Sequence, residues 1–88
     1  MNLLSAKESY ISTQKIKDRM LVILLKRDFL KIQNKNTFYK ENLDTTCFVE
    51  IGRYGYKIVK TNSKISIDVS AEYSQDCLVK FANITKLE

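Results

Sequence analysis

Hydrophobic residues recur at three- and four-residue intervals through the first third of the chain, a spacing typical of one face of a helix. The positions in this stripe are Ala6, Tyr10, Ile16, Met20, Ile23 and Leu24. A capping box formed by Ser5 and Glu8 predicts where the helix begins. Phe29, Leu30 and Ile32 continue the apolar surface, and the polar segment 34–37 predicts the end. We therefore expect a long amino-terminal helix. Segment 11–14 is compatible with a kink or short break in it, because residues of these types compete for backbone hydrogen bonds.

Six consecutive apolar residues, Met20 to Leu25, lie within this predicted helix. One face of an isolated helix needs fewer. The band is therefore expected either to be enclosed on several sides or to contact a second copy of the chain. Since a domain of this size has a small stability margin, we expect a homo-oligomer that uses this band and an uncovered sheet edge.

The middle of the chain has two possible interpretations. Leu43, Cys47, Ile51 and Tyr54 are spaced as in a short second helix, which Asp44 would cap and Gly55 would end. The alternative is a strand through 45–49, because these residue types favour extended backbone. The helix is preferred, since the polar positions Asp44, Glu50 and Arg53 lie off the apolar stripe.

After Gly55 the hydrophobic period changes to two, which is typical of strands. Strands are predicted at 56–60 and 65–71, joined by a turn at 61–64, and a third strand at 77–82. The expected fold is therefore α+β in a single domain of residues 1–88: a long helix, a short helix and a three-stranded antiparallel sheet.

Composition limits the possible chemistry. The chain has 88 residues, no histidine and two cysteines, Cys47 and Cys77, which are thirty positions apart. This excludes histidine-based catalysis and four-ligand Cys/His zinc sites, and it gives no indication of a cofactor or metal. Two buried free thiols are expected rather than a disulfide. A non-enzymatic binding or structural protein is the class that remains.

Charge is uneven along the chain. The protein has 15 Lys and Arg against 10 Asp and Glu, a net charge of +5. Residues 1–40 hold nine basic and three acidic side chains, a local +6, and residues 41–88 hold six and seven, a local −1. This asymmetry favours an anionic partner, although lysines on a solvated face also serve solubility alone.

The segment 52–57 contains both glycines and alternates basic with aromatic side chains. Arg53 and Lys57 are candidates for binding phosphate, and Tyr54 and Tyr56 for stacking on a base or sugar. The alternative is a helix-capping glycine followed by tyrosines that pack at the start of a strand. With the basic helix, the candidate anion-binding residues are Lys15, Arg19, Lys26, Arg53 and Lys57.

Two segments carry a resemblance: Leu4–Glu8, which a long predicted helix follows, and Gly55–Val59, which a second alternating strand follows. In these features the chain resembles a loose group of short proteins of phages and prophages of low-G+C bacteria. The chain differs from that group in lacking a tryptophan at the end of the second strand and in adding a third strand at 77–84. The resemblance implies a source and an α+β fold, and no site.

These observations predict a small, non-enzymatic accessory protein of a phage or mobile element. We expect it to bind a nucleotide-type ligand or an acidic host factor, and so to counteract host defence. The alternatives are a sequence-nonspecific nucleic-acid-binding protein and a structural virion component. No apolar run approaches the roughly twenty residues of a membrane span, and the charged amino terminus is unlike a secretory signal, so a cytoplasmic protein is expected.

Overall fold

The computed structural model describes residues 3–87, and their side chains from residue 12 onward. Two helices pack on one face of a five-stranded antiparallel sheet with strand order β1-β2-β3-β4-β5. The elements in chain order are α1 (Leu3–Lys26), β1 (Leu30–Lys31), β2 (Thr37–Asn42), β3 (Thr45–Ile51), β4 (Gly55–Thr61), β5 (Ser66–Glu72) and α2 (Cys77–Ile84). The α+β class expected from the sequence is confirmed, but the predicted architecture is wrong.

Helix α1 ends at Lys26, eight residues before the start of the predicted stop at 34–37. Asp28 adopts a left-handed backbone conformation with φ of 65°. The amide of Phe29 donates to the carbonyl of Leu24 at 3.0 Å, which is the six-to-one bond of a Schellman motif. Phe29 consequently turns back into the core, and Leu30 begins a strand. The helix is continuous through segment 11–14, and the side chains of the predicted capping box lie outside the described residues.

The predicted second helix is the strand β3. Cys47, Val49 and Ile51 are buried, whereas Phe48 and Glu50 between them are exposed. A two-residue turn, Leu43 and Asp44, joins β3 to β2, and Leu43 takes a positive φ of 50°. The extended preference of Thr-Thr-Cys-Phe-Val therefore prevails over the helical spacing.

The predicted third strand is the helix α2. Cys77 and Phe81 are both buried and lie four residues apart, as on one face of a helix, whereas Val79 is 69% exposed. An alternating pattern of three residues satisfies both periods, since its first and last members are also four apart. The three-stranded sheet is therefore wrong in number and in membership.

The hairpin of β4 and β5 agrees with the strands and turn predicted from residue 56 to residue 71. Asn62 closes the turn, because its Oδ1 accepts hydrogen bonds from the amides of Lys64 and Ile65 at 2.8 and 2.9 Å. Strand β5 is less buried than its alternation indicates, since only Val69 and Ala71 are half-buried.

The core lies between the helices and one face of the sheet. Helix α1 contributes Ile16, Met20 and Leu24 at four-residue intervals. The sheet contributes the buried side chains Phe38, Cys47, Val49, Ile51, Tyr56 and Ile58, and α2 contributes Cys77 and Phe81. No helix within residues 3–87 has both the length and the hydrophobicity of a membrane span. Neither of the two described helices lies on the opposite face of the sheet, which is called the open sheet face below.

Candidate functional surfaces

Three of the predicted anion-binding residues lie on one side of α1. Lys15, Arg19 and Lys26 are all exposed. At about 100° per residue they fall within a sector of about 40°, and they extend over about 16 Å of the helix axis. Val22, 48% exposed, lies between Arg19 and Lys26 along the axis and about 20° outside that sector, on its Lys15 side. These four residues form the basic α1 face.

The basic α1 face borders a groove beside α2. Lys15 and Arg19 line it with Ser12, Ile16, Gln75 and Leu78, and its volume is about 290 Å³. One wall is apolar and the groove is open to solvent. Its place beside the two cations suits an extended anionic surface better than an enclosed small molecule.

Arg53 and Tyr54 lie in the β3–β4 turn, away from the basic α1 face. The Arg53 guanidinium stands 5.4 Å from the centroid of the exposed Tyr54 ring. Both line a groove with Glu72, Tyr73 and Thr13 of α1. Arg53 is thus already stacked on a ring and shares its groove with a carboxylate, which opposes anion binding there.

Lys57 points to the open sheet face, where Glu50 of β3 is its direct cross-strand neighbour. It lines a depression of about 390 Å³ that also includes Glu50 and Glu72. The structure therefore separates Lys57 from the basic α1 face and surrounds it with acidic side chains.

Tyr56 cannot stack on a ligand, because its ring is 3% exposed and packs in the core. The ring stands edge-on to Phe81 at 5.7 Å between centroids. Its hydroxyl is buried and has no hydrogen-bond partner among the described residues. The stacking role predicted for Tyr56 is therefore wrong. Tyr54, by contrast, is 76% exposed.

Three other cationic side chains form hydrogen bonds at the ends of the helices. Lys40 Nζ donates to the carbonyl of Arg27, just past α1. Arg27 Nη1 in turn donates to Thr85 Oγ1 at 2.8 Å and to the carbonyl of Ala82. Lys60 Nζ donates to the carbonyls of Ile84 and Lys86 at 3.1 and 3.0 Å. These cations donate hydrogen bonds to carbonyl groups at helix ends, which have no amide partner within the helix.

Both cysteines are free and buried. Burial raises the pKa of the Cys47 thiol to about 11, although the positive charge of Lys60 acts in the opposite direction. A thiol with a raised pKa is a poor nucleophile at neutral pH. Within residues 3–87, no three His, Cys, Asp or Glu side chains gather where they could hold a metal ion.

The open sheet face is the surface that sequence reasoning missed. The register aligns Leu30, Tyr39, Phe48, Val59 and Asp68 in one row across all five strands. Leu30 is 68% and Phe48 41% exposed. The rings of Tyr39 and Phe48 lie 5.1 Å apart. A row of apolar side chains on the solvent side of a sheet is a typical feature of an interaction surface.

Acidic side chains flank this row. Glu41 lies on one side of it and Glu50 on the other, and Asp68 ends it on β5. Tyr39 donates a hydrogen bond of 2.5 Å to Glu41 Oε2, which is the main reason that the pKa of Tyr39 is raised. Among the described residues of β2–β5 that point to this face, Lys57 is the single cation. The sequence signal would have been the alternation in β3, where Phe48 and Glu50 occupy the face opposite Cys47 and Val49.

No family model, no curated protein and no solved structure matches this chain.

Proposed function

We propose that the protein is a non-enzymatic binding protein that uses the basic α1 face to contact an extended anionic surface of another macromolecule. The observation that carries the proposal is the alignment of Lys15, Arg19 and Lys26 in one exposed sector of α1. Along the helix axis, Lys15 and Arg19 are about 6 Å apart, and Arg19 and Lys26 are about 10 Å apart. This spacing matches an extended anionic surface rather than a single small anion.

An acidic protein surface is favoured over nucleic acid as the target. Val22, 48% exposed, borders the three cations on the same side of α1. Apolar side chains among cations gain from contact with apolar patches of a protein, whereas a phosphate backbone presents none. The nucleotide-type ligand is disfavoured because Arg53 and Lys57 each share their surroundings with a glutamate.

The triple variant Lys15→Gln/Arg19→Gln/Lys26→Gln tests this function. Polyglutamate serves as the acidic polypeptide probe, and a duplex DNA of equal charge serves as the nucleic-acid probe. We expect polyglutamate binding that weakens with salt and that drops about tenfold or more in the triple variant, since each lost contact removes a favourable charge interaction.

The matched control is Lys31→Gln/Lys35→Gln/Lys64→Gln, which removes the same charge from exposed sites elsewhere. It should bind polyglutamate nearly as well as the natural chain. Equal losses in both variants would mean that net charge alone drives binding, and this would contradict the proposal. Much tighter binding to the duplex, with a salt slope of about −3 on logarithmic axes, would favour the nucleic-acid function instead.

The accessory role in a phage or mobile element, in the bacterial cytoplasm and against a host factor, is part of the same proposal. Its support is the sequence resemblance and the basic α1 face together. The structural virion component is the second candidate, and the observation that favours it is the apolar and acidic open sheet face, which offers a second contact surface on the opposite side of the molecule.

A further inference from the structure

The two broad faces of the molecule are complementary to each other. The helix side presents the basic α1 face with Val22 at one edge. The sheet side presents the apolar row between Glu41 and Glu50. A two-layer protein with an uncovered sheet gains by covering it with a further helix layer, and here the chain itself carries a helix of suitable charge.

We propose that the open sheet face binds the basic α1 face of a second copy of this chain, so that copies associate head to tail. This inference rests on the proposed function, since it names the acidic surface that the basic α1 face contacts. The interface is heterologous, because two different patches meet, and a pair of copies keeps one free patch of each kind, one on each copy.

The spacing of the charges supports this pairing. Glu41 lies opposite Thr46 on β3, four residues before Glu50, which separates the Cα atoms of the two glutamates by about 14 Å. Arg19 and Lys26 are about 10 Å apart, and Lys15 extends the stripe to about 16 Å. The cations at either end of the stripe can therefore approach the carboxylates at either side of the row, with Val22 placed over Tyr39 and Phe48 between them.

The area of the open sheet face limits how strongly two copies can associate. With five strands spaced about 4.8 Å apart, and a strand length of about six residues at a rise of about 3.3 Å per residue, the open sheet face measures about 500 Å². A standard stable interface buries about 800 Å² per partner. We therefore expect weak association, visible at high protein concentration and low salt, rather than a permanent oligomer.

Neutralising variants of each face test the pairing by sedimentation velocity. The helix variant is Arg19→Gln/Lys26→Gln and the sheet variant is Glu41→Gln/Glu50→Gln. The natural chain should form species larger than a dimer as its concentration rises, and fewer of them in high salt. Each variant alone should remain monomeric, while Lys64→Gln should behave like the natural chain.

The mixture of the two variants is the decisive sample. The helix variant keeps an intact open sheet face and the sheet variant keeps an intact basic α1 face, so an equimolar mixture should give a one-to-one complex and nothing larger. Natural chain that stays monomeric at high concentration and low salt, a mixture that stays monomeric, or a sheet variant that associates like the natural chain would overturn the proposal.

The two proposals can fail separately. Loss of self-association with polyglutamate binding intact leaves the basic α1 face as a binding surface for another protein. Self-association without polyglutamate binding supports the head-to-tail contact and refutes the wider proposed function. The sheet variant should bind polyglutamate at least as well as the natural chain, because it no longer competes for the basic α1 face.

Discussion

At the scale of single residues, the molecule uses tyrosines in three different ways. Tyr54 is exposed beside Arg53, and Tyr56 is buried with a hydroxyl that finds no partner in the described part of the chain. Tyr73 donates a hydrogen bond of 2.6 Å to the carbonyl of Gly52. Residue type and spacing alone assigned Tyr54 and Tyr56 the same role. The difference arises because Tyr54 lies in the turn before β4, whereas Tyr56 lies within β4 on the face that it shares with the buried Ile58.

The buried Tyr56 and the half-buried Tyr73 form a matched pair for mutation. Tyr73→Phe removes a hydrogen bond and leaves the Gly52 carbonyl without that partner, so the free energy of unfolding should fall by about 1 kcal/mol. Tyr56→Phe removes only an unsatisfied hydroxyl and should leave stability unchanged or raise it by up to about 1 kcal/mol. Urea denaturation of both variants measures this, and a larger loss in Tyr56→Phe than in Tyr73→Phe would refute the assigned environments.

Stability should also fall in alkaline solution. Burial raises the pKa of Cys47 from 9.0 to about 11 and that of Tyr73 from 10.0 to about 12. The folded state thus favours the neutral forms, and this contribution is complete below the unfolded pKa values and is lost as the pH rises through the folded ones. The urea midpoint should therefore decline from about pH 9 upward.

The variant Cys47→Ala separates the two groups. It lowers stability at every pH by removing buried volume, but its midpoint should decline less between about pH 8 and 10 than that of the natural chain. A midpoint that is constant up to pH 11 in the natural chain would be inconsistent with the raised pKa values.

At the scale of secondary-structure elements, lysines from the sheet fix the ends of both helices. Lys60→Met should remove the hydrogen bonds to the carbonyls of Ile84 and Lys86 while keeping a long aliphatic side chain. We expect the free energy of unfolding to drop by about 1–2 kcal/mol. Lys64→Met, at an exposed turn position, provides the control and should change stability by less than about 0.5 kcal/mol. Equal effects of the two substitutions would show that the Lys60 contact does not stabilise α2.

The elements also show what the sequence could and could not predict. The hairpin of β4 and β5 follows from local alternation and from the turn at Asn62, so it was predictable. The end of α1 at Lys26 depends on a left-handed aspartate, which is uncommon and has no glycine signal. The segments 45–51 and 77–84 are short enough to fit both periods, and only their packing against α1 and the sheet decides between helix and strand.

The basic α1 face and the open sheet face differ in how far the sequence predicts them. Lys15, Arg19 and Lys26 share a helix face by spacing alone, so their alignment follows once α1 is assigned. The open sheet face requires the register of five strands, and two of those strands, β1 and β2, were not predicted at all. Local alternation indicates which side chains of one strand share a face, as Phe48 and Glu50 do in β3, but not which side chains of the other strands join them.

At the scale of the whole molecule, charge is divided between two opposite faces. The chain carries a net charge of +5, yet the open sheet face presents Glu41, Glu50 and Asp68 against one lysine. Such separation gives the molecule a strong electrical asymmetry, and salt should weaken any contact between copies. In the proposed head-to-tail contact, a second copy covers the apolar row.

A dilution series followed by amide ¹H–¹⁵N NMR measures the contact residue by residue. The head-to-tail account predicts that concentration-dependent shifts appear together on two surfaces, the basic α1 face around Val22 and the open sheet face around Phe48, and that both sets of shifts disappear in high salt. Shifts confined to one of these surfaces would indicate a symmetric contact, and spectra that do not change with concentration would show that the faces do not bind each other; either result would contradict the account.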